Sequence, residues 1–101
     1  MFKLTPPATF VATVKIPNGD APLPLTLVFR RKDKAALVTW IESTSTRADP
    51  DALGEVIADW KDVDAPYGEE ALTQLLAAYS GAGMAIFSGY LRALSEAERK
   101  N

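Results

Sequence analysis

Residues 49–94, DPDALGEVIADWKDVDAPYGEEALTQLLAAYSGAGMAIFSGYLRAL, decide the fold. They read as three short amphipathic helices with abrupt ends. Asp49-Pro50 opens the first, an acceptor at the N-cap followed by a ring whose fixed φ suits the first helical position. Leu53, Val56, Ile57 and Trp60 follow at i, i+3, i+4 and i+7, the spacing of one helical face. The second helix carries Leu72, Leu75, Leu76 and Tyr79. Ser80-Gly81 breaks the chain and caps a third, with Ala82, Ala85, Ile86, Phe87, Tyr90, Leu91 and Leu94. Isolated helices shorter than about 12–15 residues are marginal in water. The three must therefore pack on each other.

Upstream, the period changes from helical to alternating. Phe10, Ala12, Val14 and Ile16 share one side of a strand over Thr9–Ile16. Leu23, Leu25, Leu27 and Phe29 do the same over Leu23–Arg30. Pro17-Asn18-Gly19-Asp20-Ala21-Pro22 turns the chain between them. Pairing Ile16 with Leu23 puts Val14 opposite Leu25, Ala12 opposite Leu27 and Phe10 opposite Phe29. A slip of one residue would turn half of these into water. A lone hairpin is marginal, so it needs a helix on its apolar face. Residues 33–44 offer one, with Asp33 as N-cap and Leu37, Val38, Trp40 and Ile41 as its apolar set. Thr44-Ser45-Thr46 continues a helix poorly and closes it. Glu69-Glu70 suits the positive end of the helix after the loop Lys61–Gly68.

The expected fold is α+β: an N-terminal β-hairpin packed on a small bundle of about four α-helices, in a single domain over 1–101. Residues 1–31 form the extended start, stiffened by Pro6-Pro7, and the hairpin. Residues 32–98 form the helical part. The charged segment from Ser95 frays, leaving 99–101 as a tail.

The composition excludes much chemistry. There is no cysteine, hence no disulfide framework or thiolate metal site, and no histidine, hence no Ser-His-Asp or Cys-His arrangement. Acid–base catalysis would fall to Asp59, Asp62, Asp64 and Glu69, which read as solvated acids on a helix end and a loop. Asp62-x-Asp64 fails as a calcium loop, since Pro66 stands where a third oxygen ligand belongs. Gly81-Ala82-Gly83 lacks the strand and lysine of a phosphate loop and reads as helix capping. No segment is apolar enough for a leader or a membrane span.

Charge is uneven. Residues 1–47 hold seven Lys/Arg and three Asp/Glu, a net +4; residues 48–101 hold four and ten, a net −6. Such a molecule can stack head to tail, with a component that salt weakens, or simply carry two solvated faces. Arg30-Arg31-Lys32-Asp33-Lys34 is the one basic cluster, without the aromatic interleaving of a nucleic-acid surface. Trp40, Trp60, Tyr67, Phe87 and Tyr90 are many large aromatics for so small a core. Their exposed members are the candidates for partner binding. Phe87 lies about 100° round the helix from Ile86 and widens that stripe toward a second surface.

The order of elements resembles the tail assembly chaperones of long-tailed bacteriophages and prophages. Phe2-Lys3-Leu4-Thr5-Pro6-Pro7-Ala8-Thr9-Phe10 with Val14-Lys15-Ile16-Pro17 is similar to that family's opening strand. Trp40, Val56-Ile57 and Asp59-Trp60 stand at similar spacing. So do Tyr67-Gly68-Glu69-Glu70-Ala71-Leu72, Leu75-Leu76, Tyr79-Ser80-Gly81-Ala82, Ala85-Ile86-Phe87 and Tyr90-Leu91. Ser80 stands where the family often has proline. The resemblance implies a non-enzymatic cytoplasmic protein of the infected host, without cofactors and absent from the finished virion. It implies the tape measure protein and tail tube protein as partners, self-association, and often a longer frameshifted form; the overall acidity and the lack of a long apolar run leave neither nucleic acid nor membrane as an expected partner. The alternative reading is a generic interaction or regulatory domain of a prophage-bearing bacterium.

Overall fold

The computed structural model describes residues 1–100, the side chain of Lys100 excepted. Strands β1 (Thr9–Ile16) and β2 (Leu23–Arg30) pair antiparallel in the expected register, from Ile16 opposite Leu23 to Thr9 opposite Arg30. Gly19 supplies the positive φ of +58° that the connecting turn requires. Val14, Ile16, Leu25, Leu27 and Phe29 are buried on one face. On the other face the Thr13 and Thr26 hydroxyls are hydrogen-bonded at 3.1 Å.

Helix α1 (Lys34–Ser43) starts where Asp33 accepts a 2.8 Å hydrogen bond from the Ala36 amide. Its end is tightened into a short 3₁₀ turn over Thr44–Thr46. Ser43, Thr44, Ser45 and Thr46 each donate a hydroxyl to the carbonyl three residues back, a competition that pulls the chain out of α geometry. Helix α2 (Asp49–Val56) follows, with Ala48 rather than Asp49 as its N-cap and Pro50 as its second residue. The Asp49 carboxylate lies instead beside Gly83, at the start of the last helix.

The first of the three expected helices ends early. Ile57–Lys61 is a third strand, β3, hydrogen-bonded antiparallel to β2, so the sheet has order β1-β2-β3 rather than being a lone hairpin. A bulge explains the misreading. Asp59 pairs with Val28 and Ile57 with Phe29, which leaves Ala58 as the extra residue. Without a bulge, Ile57 and Trp60 would face opposite sides. With it, both are buried, and a strand imitates helical i, i+3 spacing.

Helices α3 (Glu69–Ala78) and α4 (Ala82–Lys100) complete the chain. Helix α4 continues past Ser95 through Lys100, while Asn101 lies outside the described residues. It is also α4, rather than α1, that lies across β1 on the apolar face. Gly89 makes this possible: a Cβ there would meet Val14 Cγ2 at 2.8 Å. Tyr90 then stands between sheet and helix α1, its ring 5.0 Å from that of Phe29 and 5.3 Å from that of Trp40.

Candidate partner-binding surface

The five aromatics nominated from sequence divide sharply. Trp40, Trp60 and Tyr90 are core residues. Each also has its polar atom paired inside the chain. The Trp40 indole donates to the Ala52 carbonyl at 2.9 Å, the Trp60 indole to Ala65 at 2.8 Å and the Tyr90 hydroxyl to Arg30 at 2.8 Å. Burial pushes the Tyr90 hydroxyl up to about 12, so it stays protonated and donating across the neutral range. Tyr67 is half-buried, edge-on to Trp60 at 5.2 Å, and closes the loop Lys61–Gly68. Burial also raises its hydroxyl above the ordinary tyrosine value. Phe87 is half-buried too, stacked on Trp40 at 5.5 Å with its other side outward.

Around Phe87 an apolar strip reaches solvent. On α4, Phe87, Leu91 and Met84 step outward from the buried line of Ile86, Tyr90 and Leu94. Met84 is 70% exposed. On α1, Leu37 and Ile41 share a face beside Trp40, and Val38, 52% exposed, flanks it. The Trp40–Phe87 stack joins the two helices beneath this strip. Between the end of α1 and the start of α4 lies a cavity of about 340 Å³, lined in part by Thr44, Leu53, Met84 and Phe87. Sequence reasoning missed Val38, Ile41 and Met84 as surface residues. In α1 Trp40 is buried and Leu37 packs partly against the core, which leaves Val38 and Ile41 outward.

The basic cluster lies elsewhere and is largely engaged, while the exposed Asp49 carboxylate borders the cavity beside Met84 and Phe87. Arg30 donates to the Gly54 and Ile57 carbonyls, and Arg31 to Pro7, with its guanidinium 5.6 Å over the Phe10 ring. Lys32 pairs with Glu55 at 2.6 Å, and Arg47 with Glu55 at 2.7 Å and Asp51 at 2.9 Å. Lys32, then Arg47, holds the Glu55 carboxyl below the usual carboxylate range. Most of the basic cluster thus ties strand ends to α2 and to the N-terminal arm. Among the described residues no three carboxylates converge as a metal site would require. Asp59, Asp62 and Asp64 are exposed around a shallow depression beside Trp60. No single helix in the described residues is long and apolar enough to cross a membrane.

Fold and surface together define a small α+β protein whose aromatic and hydrogen-bonding side chains mostly serve packing, and whose conspicuous surface feature is apolar. The chain belongs to the phage tail assembly chaperone family, whose model matches residues 1–101. A comparison with curated proteins gives no match, and neither does one with solved structures.

Proposed function

We propose that this protein is a non-enzymatic chaperone that coats the tape measure protein, keeps it soluble, and helps gather tail tube subunits around it. It acts in the host cytoplasm and leaves before the virion is complete. One observation carries this reading: the strip formed by Leu37, Val38, Ile41, Met84, Phe87 and Leu91 is apolar and partly solvated. A coat along a long rod must tolerate many local sequences. Adaptable apolar surface does this, whereas fixed hydrogen bonds would select one sequence. Family membership supplies the setting of tail assembly.

Co-expression with the tape measure protein of the same phage tests the proposal. The expected result is that the tape measure protein becomes soluble and co-purifies with this chain. Equal solubility with and without it, and no complex, would overturn the reading.

A further inference from the structure

The molecule has an apolar arm at one end and an apolar cleft at the other. The arm is the segment before β1, where Phe2 and Leu4 are 86% and 92% exposed with Lys3 between them. Pro6-Pro7 stiffens it, and Arg31 fixes its root: the Arg31 amide donates to the Ala8 carbonyl at 2.8 Å and its Nε to Pro7 at 3.1 Å. The cleft, about 340 Å³, lies at the turn end of the hairpin, between β1, β2, the loop after β3 and α3. Leu23, Leu25, Val63, Leu75 and Tyr79 make its apolar wall, and Asp62 and Asp64 stand among the residues lining it. Both carboxylates are exposed, and neither enters an ion pair among the described residues. Asp62 is held at φ +58°, the one non-glycine residue with positive φ among those described.

We infer that the arm of one copy docks in the cleft of the next, with Phe2 and Leu4 on the apolar wall and Lys3 facing Asp62 and Asp64. The arm's apolar–cationic–apolar order matches the cleft's apolar wall and anionic edge. The copy cannot serve itself. Arm root and cleft lie at opposite ends of β1, about 23 Å apart at roughly 3.3 Å per residue. The five steps from Pro7 back to Phe2 reach at most about 18 Å. A contact between unlike surfaces at opposite ends of one strand is heterologous. It propagates into a ring or an open filament rather than stopping at a dimer. This deepens the coat proposed above and rests on it for its purpose. Its test needs no tape measure protein, so either proposal can fail while the other stands.

The test uses two full-length variants in sedimentation velocity at low salt. Phe2→Ser with Leu4→Ser blunts the arm; Leu23→Lys with Asp64→Lys blocks the cleft. Wild type should form concentration-dependent species larger than a dimer, and each variant should associate at least about tenfold more weakly. Mixed in equal amounts, the two variants should form a heterodimer and stop there, since only one good arm and one good cleft remain. Wild type that stays monomeric, variants that assemble like wild type, or folded variants that fail to pair would each overturn the inference. A second measurement needs no cleft variant. A heptapeptide of residues 1–7 should disperse wild-type oligomers, and the same peptide with serine at positions 2 and 4 should not. Failure of the first peptide to disperse them would also overturn it.

Discussion

At the scale of single residues, Gly89 and Tyr90 hold the two layers together, and both make predictions. In an exposed helix, Gly→Ala stabilises by roughly 1 kcal/mol. At Gly89 the new Cβ would press on Val14, a stiff, buried β-branched side chain. Overpacking of this kind costs about 1–3 kcal/mol. Gly89→Ala should therefore lower the urea midpoint, and adding Val14→Ala should recover part of the loss. Gly83→Ala should not share the defect, because its nearest neighbour is the far end of the exposed Asp49 side chain, which has solvent to turn into. Tyr90 sets an alkaline limit. Unfolded, it loses its proton near pH 10; folded, near 12. Between those values the unfolded state binds fewer protons, so stability is full below pH 10 and falls as pH rises to 12. Urea unfolding across that window should show the fall. Tyr90→Phe should make it shallower, leaving the smaller part that Tyr67 contributes, at a neutral-pH cost of about 0.5–1.5 kcal/mol for the lost hydrogen bond to Arg30.

Among the elements, the hairpin was legible because alternation, turn residues and burial all agree on one register. The start of α1 was legible because Asp33 is a capping acceptor in the right place. Strand β3 was not, since the bulge at Ala58 gives Ile57 and Trp60 the same spacing that a helix would. The reach of α4 beyond Leu94 was hidden because its last residues are charged and carry no apolar stripe. Ser95–Lys100 is instead rich in good helix formers, and Leu94 is anchored in the core. The partner surface was half legible: Phe87 showed as an over-wide stripe, but nothing in periodicity says which stripe has a neighbour. Strand β3 depends on Trp60, which is buried, hydrogen-bonded to Ala65 and edge-on to Tyr67. Trp60→Ala should cost about 3–5 kcal/mol. Hydrogen exchange should show Ile57–Lys61 losing protection well before α4 does.

On the scale of the whole molecule, the charge asymmetry is smaller in effect than the sequence suggests. Lys32 and Arg47 from the basic half are paired with Glu55 and Asp51 from the acidic half, so part of the +4/−6 separation is cancelled within the chain. What remains available at the arm and cleft is Lys3 against Asp62 and Asp64, beside apolar contacts. Assembly should therefore weaken but persist above roughly 0.5 M salt, where screening acts over only a few ångströms. Strip, arm and cleft are separate features, and separate features can be separated genetically. Val38→Asp with Met84→Asp changes two exposed side chains of the strip and nothing in the arm or cleft. Surface substitutions of this type usually shift stability by no more than about 0.5 kcal/mol. The variant should keep its urea midpoint and sediment as wild type does, yet leave co-expressed tape measure protein insoluble. Phe2→Ser with Leu4→Ser should do the reverse in sedimentation, remaining monomeric while still binding the tape measure protein weakly, one copy at a time. If instead the strip variant disperses wild-type-like oligomers, then the strip is the contact between copies and the tape measure protein must be held elsewhere.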